Sequence, residues 1–450
     1  MKRVVVVGGG IAGLACAYEL QQGGAAVTVI ERERLGGVIR TERVGDFLIE
    51  AGPDSFLTTS KPWARELCTE IGLEDELIAP GSSKVYVLSG GKLHNLPEGV
   101  FLTVPTKWWP FMMSGLFTFK GKMRMLMDRW LPRGPEVEDE SIGSFIRRRL
   151  GQEALEKLAE PIMAGIHVAP ADELSLRATF PRFAELEREH RSLIKGLKKT
   201  PLSSGNISPF MTLRGGLTTL VDRLVSKLAG VTFIKGKEAA KVEPGERTVQ
   251  GPTWIVHLEG GTIAADAVVL AIPAAAAAKL VPGAPKVKYV STTTVSLAYK
   301  KFRDLDGTGF VIPRGEGRKI LACTWTSSKF EGRAPADHVL IRCFVLGTGS
   351  DAAKVAHEEI RSILGATEEP VASRAFAWPD RNPVYEVGHE RRIREFEAAM
   401  PAGLLLCGSA FHGTGLPDCV RDGRAVARRI LGGEKHAAHV PGDRRSVRGL

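Results

Sequence analysis

Residues 4–7 are an unbroken run of valines that stops at a glycine, and from residue 11 to residue 21 the pattern changes to that of a helix. A second apolar run at 26–30 predicts another strand, so the chain opens as strand, tight turn, helix and strand. The same pattern returns twice. FMTLRGGLTTLVDRLVSKL, from Phe210, reads as strand, loop and helix, with short strands expected at 231–234, 254–258 and 267–272. The late segment LLLCGSAFHGTGLPDCVRDGRAVARRIL is an apolar strand, a glycine-rich loop and a helix running from about Leu416. The fold class is α/β, with a Rossmann-like nucleotide-binding domain assembled from three separated pieces.

Borders follow from these signals. Residues 1–60, 205–280 and 375–432 are assigned to the nucleotide-binding domain, and 61–100, 180–204 and 281–374 to an inserted α+β substrate domain. Residues 101–179 form a helical membrane or interface region, and 433–450 a basic tail. In the helical region, Met123, Leu126, Met127 and Trp130 fall at i, i+3, i+4 and i+7, while Lys122, Arg124, Asp128 and Arg129 occupy other faces. This stripe reads in two ways. It is either a basic amphipathic helix lying on a membrane surface beside Trp108 and Trp109, or a Met-rich face packed on its own domain or on a second subunit.

The glycines bring in chemistry. Gly8, Gly10 and Gly13 make G-x-G-x-x-G, in which the first glycine permits the turn, the second lets backbone approach a pyrophosphate and the third packs helix on strand. The helix N-terminus then offers free N–H groups to an anion. Glu31, at the end of the second strand, can accept hydrogen bonds from ribose hydroxyls. Gly36 and Gly37 make a second turn and Gly52-Pro53 a third, which implies a long ligand, and the helix from Leu416 offers another N-terminus to a phosphate or ring carbonyl. Nicotinamide enzymes usually build this domain from one continuous stretch, so the three-piece pattern favours FAD by fold analogy.

Composition narrows the class. A chain of 450 residues, 44% hydrophobic and 25% charged, is globular, with length for two or three domains. The formal charge of +10 suits nucleic acid, an anionic membrane surface or an acidic small substrate. No zinc spacing or aromatic-interleaved basic motif argues for nucleic acid, and the clearest basic tract, RRSVR, reads as a solvated terminus. Cys16, Cys68, Cys323, Cys343, Cys407 and Cys419 include no C-x-x-C pair and are expected to be reduced, mostly buried thiols of a cytoplasmic protein. No cleavable signal is expected before the first strand, and no apolar run approaches the roughly 18 residues of a spanning helix.

Motifs across nearly the whole chain resemble those of the oxygen-dependent porphyrinogen oxidases of haem synthesis, a branch of the flavin amine oxidase and phytoene desaturase superfamily. LGGVIRTE and EAGPDSFL match the N-terminal signatures; ESIGSFIRRRLG, EPIMAGIHVAPADELSLRATFP and LRGGLTTL match the middle ones. WPDRNPVYEVGH and GTGLPDCVRDG are specific to this branch. One departure is His167, after Ile166, where the family often has a Tyr-Ala-Gly-Asp run.

The resemblance implies a p-hydroxybenzoate-hydroxylase-like fold and six-electron oxidation of a porphyrinogen by FAD and O2, with release of hydrogen peroxide. It also implies a membrane- or interface-forming part, as a peripheral contact on the inner face of the membrane or a homodimer. Its cofactor contacts carry over to Gly8, Gly10, Gly13, Glu31, Gly36, Gly37, Gly52, Pro53, Val242 on an adenine-side strand, Gly408, Leu416 and Pro417, with Arg40 positioning the flavin. Lys61 and Lys84 sit where the family places cations for substrate propionates. No side chain is expected to be catalytic: the flavin N5 carries the chemistry, His389 and His412 read as structural, and Tyr385 and Trp378 as packing residues near the flavin. GTGLPDCV resembles the soluble branch that uses coproporphyrinogen III, and the positive chain suits that substrate's four propionates better than the two of protoporphyrinogen IX. The competing expectations are an amine or carotenoid oxidase and a non-catalytic flavin or porphyrin carrier.

Overall fold

The valine run buries both its faces. Val4 and Val6 point into one core and Val5 and Val7 into another, the pattern of a strand covered on both sides. In the computed structural model, which describes residues 1–101, 103–199, 208–246 and 253–432, this strand, Arg3–Val7, is the centre of a five-stranded parallel sheet. Its order is Thr232–Lys235, Ala26–Glu31, Arg3–Val7, Ala267–Leu270 and Leu404–Leu406. The strands come from three separated stretches of chain. Helices Ile11–Gln22, Thr218–Ser226 and Leu416–Leu431 bury Leu14, Leu20, Leu220, Leu224 and Val420 in one core. A three-stranded antiparallel sheet, Ala239–Pro244, Trp254–Leu258 and Gly261–Ala265, contributes Trp254 and Val256 to the core on the opposite side.

The second large layer is a seven-stranded sheet in the order Ala372–Val384, Lys288–Lys300, His338–Leu346, Ile320–Trp325, Gly309–Val311, Val85–Ser89 and Lys92–Asn95. Helix Ala352–Leu364 lays Ala356, Ile360 and Leu364 against Val295, Leu297 and Ile341. Strand Ala372–Val384 bulges where Val290 and Thr292 pair with Asn382 and Trp378; Pro379, which has no N–H to donate, and Asp380, at positive φ, lie in that bulge.

Three expected borders shift. Helix Trp63–Glu70 puts Ala64, Leu67 and Cys68 into the nucleotide-sheet core, so the border at 61 falls too early. Helices Pro181–His190 and Leu193–Lys199 bury Phe183, Leu186 and Ile194 beside Phe145 and Leu150, which joins 181–199 to the helical region instead of the substrate sheet. The border at 375 cuts a strand that pairs along Lys288–Lys300, and no turn signal marks it in the sequence. The tail 433–450, and the expected border residues 200–207, lie outside the described residues.

The Met-rich stripe does not face inward as a unit. Of its four members only Leu126 is buried; Met123, Met127 and Trp130 are exposed, and Lys122 and Met125 are buried instead. Asp128 decides this. Its Oδ1 accepts from Arg149 Nε at 2.8 Å, and its Oδ2 accepts from Ser192 Oγ at 2.6 Å and from the Ile194 N–H at 3.0 Å. Arg149 also donates to the carbonyls of Pro132 and Arg191. A buried charge is tolerated when paired and fully hydrogen-bonded, and turning Asp128 inward turns Met127 and Trp130 outward. All six cysteines are buried free thiols, and no described helix is long and apolar enough to cross a membrane.

Candidate functional site

Every strand of the parallel sheet runs the same way, so the segments that follow Val7, Glu31, Leu270 and Leu406 gather at its carboxyl edge. The glycine turn lies there. Gly8 has φ +108°, and a Cβ on it would stand 2.3 Å from the Ala271 carbonyl oxygen; one on Gly13 would stand 2.0 Å from the Gly8 oxygen. Gly10 is different: nothing lies within 4 Å of where its Cβ would be. Gly10 bridges Gly36 in parallel, and the N–H groups of Gly10, Ala12 and Gly13 find no acceptor among the described residues. Two crowded glycines flank one that opens on free space and unpaired donors, a cradle that fits a pyrophosphate.

The neighbouring turns close around it. Gly36 N donates to Gly9 O at 2.8 Å, and Gly37 lies against Gly10. Glu31 stands at the rim, its Oε2 accepting from Gly9 N at 2.7 Å and its Oε1 from Glu33 N at 2.7 Å. Val242 packs its side chain into the core from the edge strand of the three-stranded sheet. Arg40 is exposed, paired with Glu42 and lying 5.5 Å over the Phe376 ring.

Side chains distant in sequence hold the third turn. Trp378 Nε1 donates to the Ala51 carbonyl at 3.0 Å, and Arg342 donates to the Gly52 carbonyl. Asp54 pairs with Lys329 at 3.0 Å. Burial pushes the Asp54 carboxyl up, but Lys329 and Arg342 together hold it well below the usual carboxylate range. Burial likewise raises Glu50 to about 7, against hydrogen bonds from Leu217 N and Thr41 Oγ1.

At the fourth turn, Gly408 precedes the loop that enters helix Leu416–Leu431, with Leu416 and Pro417 buried in its first turn. Asp418 follows, and Lys61 Nζ donates to its Oδ2 at 2.6 Å. His167 belongs to the same gathering: burial, then the Lys61 charge, pushes its imidazole down to about 4, so it is neutral at pH 7. His412 is bonded to Glu397 at 3.0 Å; burial works against its charge, but Asp422 and Glu397 raise it to about 9. Lys84 shares no contact with this group. It is exposed and pairs with Asp306 at 2.8 Å, whose other oxygen accepts from Tyr86 Oη. Asp418, Asp54, His167, Lys329 and Arg342 were not among the expected site residues. Two of them, Asp54 in GPDSF and Asp418 in GLPDC, are acids inside glycine motifs, a pattern that could have marked them.

A parallel sheet with glycine turns at its carboxyl edge and two helix N-termini opening there is a dinucleotide-binding oxidoreductase architecture. The sequence model for flavin-containing amine oxidoreductases matches residues 11–431, and the chain belongs to that family, with FAD as its cofactor. It is 35% identical to a coproporphyrinogen III oxidase of Bacillus subtilis, over 96% of this chain and 98% of that one. It is 30% identical to a protoporphyrinogen oxidase of Bos taurus, over 97% and 100%. A crystal structure of an Exiguobacterium sp. 255-15 protein is 30% identical and superposes with a TM-score of 0.85, covering 96% of this chain and 99% of that one.

Proposed function

We propose that this chain oxidises a porphyrinogen to a porphyrin in haem synthesis, with coproporphyrinogen III as its preferred substrate. Six electrons and six protons leave the substrate, and three O2 become three H2O2. The bound flavin supplies the electron-accepting centre, and the protein supplies position and shelter. In this reading the Gly8, Gly10 and Gly13 turn takes the pyrophosphate and Glu31 the ribose. Gly36, Gly37, Arg40, Gly52 and Pro53 line the middle of the cofactor, Val242 its adenine side, and Gly408, Leu416 and Pro417 its ring. Lys61 is the cation placed for a propionate, because its ammonium is fixed by Asp418 in the first turn of the helix that receives the ring. Lys84 is the weaker candidate, since it stands in solvent and, among the described residues, shares no contact with the group around Asp418.

The observation that carries the reading is the near-full-length similarity to coproporphyrinogen III oxidases, beside the two most specific motifs of the sequence. The structure of this chain brings those motifs together: Gly413 N, in GTGLPDCV, donates to Tyr385 Oη, in WPDRNPVYEVGH, at 2.7 Å. The test is a comparison of kcat/KM for coproporphyrinogen III, protoporphyrinogen IX and a primary amine. Coproporphyrinogen III is expected to give the highest value and the amine no turnover. Equal or better turnover of protoporphyrinogen IX reverses the substrate assignment, and peroxide from the amine alone overturns the porphyrinogen reading.

The helical region supports a membrane contact. Trp109 and Trp130 are 70% and 71% exposed, and Trp108, Met113, Phe119, Met123 and Met127 join them on the surface. Between Lys107 and Arg133 the single acid, Asp128, is buried, so the charge shown by this stretch is basic. Exposed aromatic and sulfur side chains among lysines and arginines suit an anionic lipid surface. The protein should float with anionic vesicles at low ionic strength and be released by salt, because the Debye length falls to about 8 Å at physiological strength. Trp109→Ala with Trp130→Ala should abolish flotation. A protein that stays at the bottom of the gradient at low salt leaves the packing of this face on a second subunit.

A further inference from the structure

The loop 408–413 has no helix or strand of its own, yet its main chain is held at six points by side chains from outside it, among them Arg421, which donates to the His412 carbonyl at 3.0 Å, and Cys419, whose Sγ lies 3.6 Å from the Gly413 carbonyl. Gly408 N donates to Asp422 Oδ2 at 2.6 Å. The Ser409 carbonyl accepts from Tyr385 Oη at 2.8 Å, and the same hydroxyl accepts from Gly413 N at 2.7 Å. Between them the Phe411 carbonyl lies 3.0 Å from His389 Nε2. A carbonyl can only accept, so that nitrogen carries the proton; burial pushes His389 down to about 4, which leaves the ring neutral with its proton there. The Tyr385 and His389 rings stack with centroids 3.8 Å apart and planes 12° from parallel, and both side chains are buried. The pair stands on a firm base: Tyr385 O accepts from Ser175 N at 2.7 Å, and Gly388 N donates to Asp139 Oδ2 at 2.8 Å.

The consequence lies just beyond the loop. The N–H groups of Thr414, Gly415 and Leu416 have no acceptor among the described residues, and they are the donors at the entry to helix Leu416–Leu431. We infer that Tyr385 and His389 are positioning residues: a stacked pair that fixes the 408–413 main chain and so aims the donors at 414–416 toward the flavin ring. They touch neither substrate nor reacting atoms in this scheme. Their effect passes through the loop, which explains why a tyrosine and a histidine four residues apart stand in a motif with no acid–base task. The inference depends on the flavin site and not on which substrate is oxidised.

Tyr385→Phe keeps the ring and its stacking and removes a single oxygen, so it leaves the Ser409 carbonyl and the Gly413 N–H without their partner. The measurements are FAD affinity of the apoprotein by fluorescence titration, the visible absorption spectrum and midpoint potential of the bound flavin, and the melting temperature of the apoprotein. Tyr385→Phe is expected to raise the Kd for FAD about tenfold and to shift the flavin bands and potential, while the apoprotein melts within a few degrees of the parent. His389→Gln, which keeps an N–H donor, should stay closer to the parent in spectrum and potential than His389→Leu, which cannot donate. The idea is overturned if Tyr385→Phe lowers only the melting temperature and leaves the flavin spectrum, potential and affinity unchanged. It is also overturned if His389→Gln and His389→Leu change the flavin equally.

Discussion

Gly10→Val is expected to give a folded protein that purifies colourless. Gly10 already has extended backbone angles, φ −69° and ψ 174°, which any residue adopts, and a Cβ there meets nothing within 4 Å. Loss of glycine at this helix N-cap costs the apoprotein about 1 kcal/mol at most. The isopropyl group instead fills the space above the unpaired N–H groups of Gly10, Ala12 and Gly13, where the proposed site takes the pyrophosphate. Retention of FAD should fall by a factor of about 100 or more, roughly 3 kcal/mol. Gly13→Val gives the contrast. Its Cβ would stand 2.0 Å from the Gly8 carbonyl oxygen, so the first helix cannot sit on its strand and the protein itself should be lost. Circular dichroism of the two proteins, with a flavin titration of the first, separates a binding defect from a folding defect. A Gly10→Val protein that stays yellow with the parent's affinity would remove this turn from the cofactor site.

Lys61→Met is expected to lower kcat/KM for coproporphyrinogen III by a factor of about 10 to 100, the cost of a charge-assisted hydrogen bond, roughly 1.5–3 kcal/mol. The loss for protoporphyrinogen IX should be smaller, because it presents fewer carboxylates. The substitution has a second effect that the sequence did not reveal. The Asp418 side chain is 5% exposed and, without Lys61, keeps among the described residues only Arg421 at 3.8 Å as a cationic partner. A buried carboxylate deprived of its partner destabilises by about 3–5 kcal/mol. Asp418→Asn added to Lys61→Met removes that unpaired charge, so the double variant should regain melting temperature while its preference for coproporphyrinogen III stays reduced. If Lys61→Met lowers both substrates equally and the double variant restores both, Lys61 only neutralises Asp418.

What the sequence made legible was local. The valine run, the glycine spacing and the acid at the end of the second strand lie within 31 residues, so propensity and turn chemistry specify them without help from the rest of the chain. The strands of the parallel sheet likewise follow from apolar runs, whereas those of the seven-stranded sheet were not read from the sequence. Contacts between distant residues were not legible. The Lys61 and Asp418 partners are 357 positions apart, and Trp378 reaches Ala51 across 327. The orientation of the Met-rich stripe was hidden for the same reason: periodicity marks an apolar face but not that Asp128, 21 residues before Arg149, must turn inward to pair with it. Position 375 lies inside strand Ala372–Val384, which pairs along Lys288–Lys300 on both sides of it, and no turn residue stands there to mark a border.

The reaction at this flavin site is transfer of electrons from a porphyrinogen to oxygen. Its most direct test is to mix the FAD-loaded protein with coproporphyrinogen III and to follow porphyrin fluorescence, O2 uptake and peroxide together. The expected result is enzyme-dependent formation of coproporphyrin III with about three O2 consumed and three H2O2 released per porphyrin, as the six-electron balance requires. Binding of the porphyrinogen with no gain in porphyrin or peroxide over the protein-free rate would contradict it.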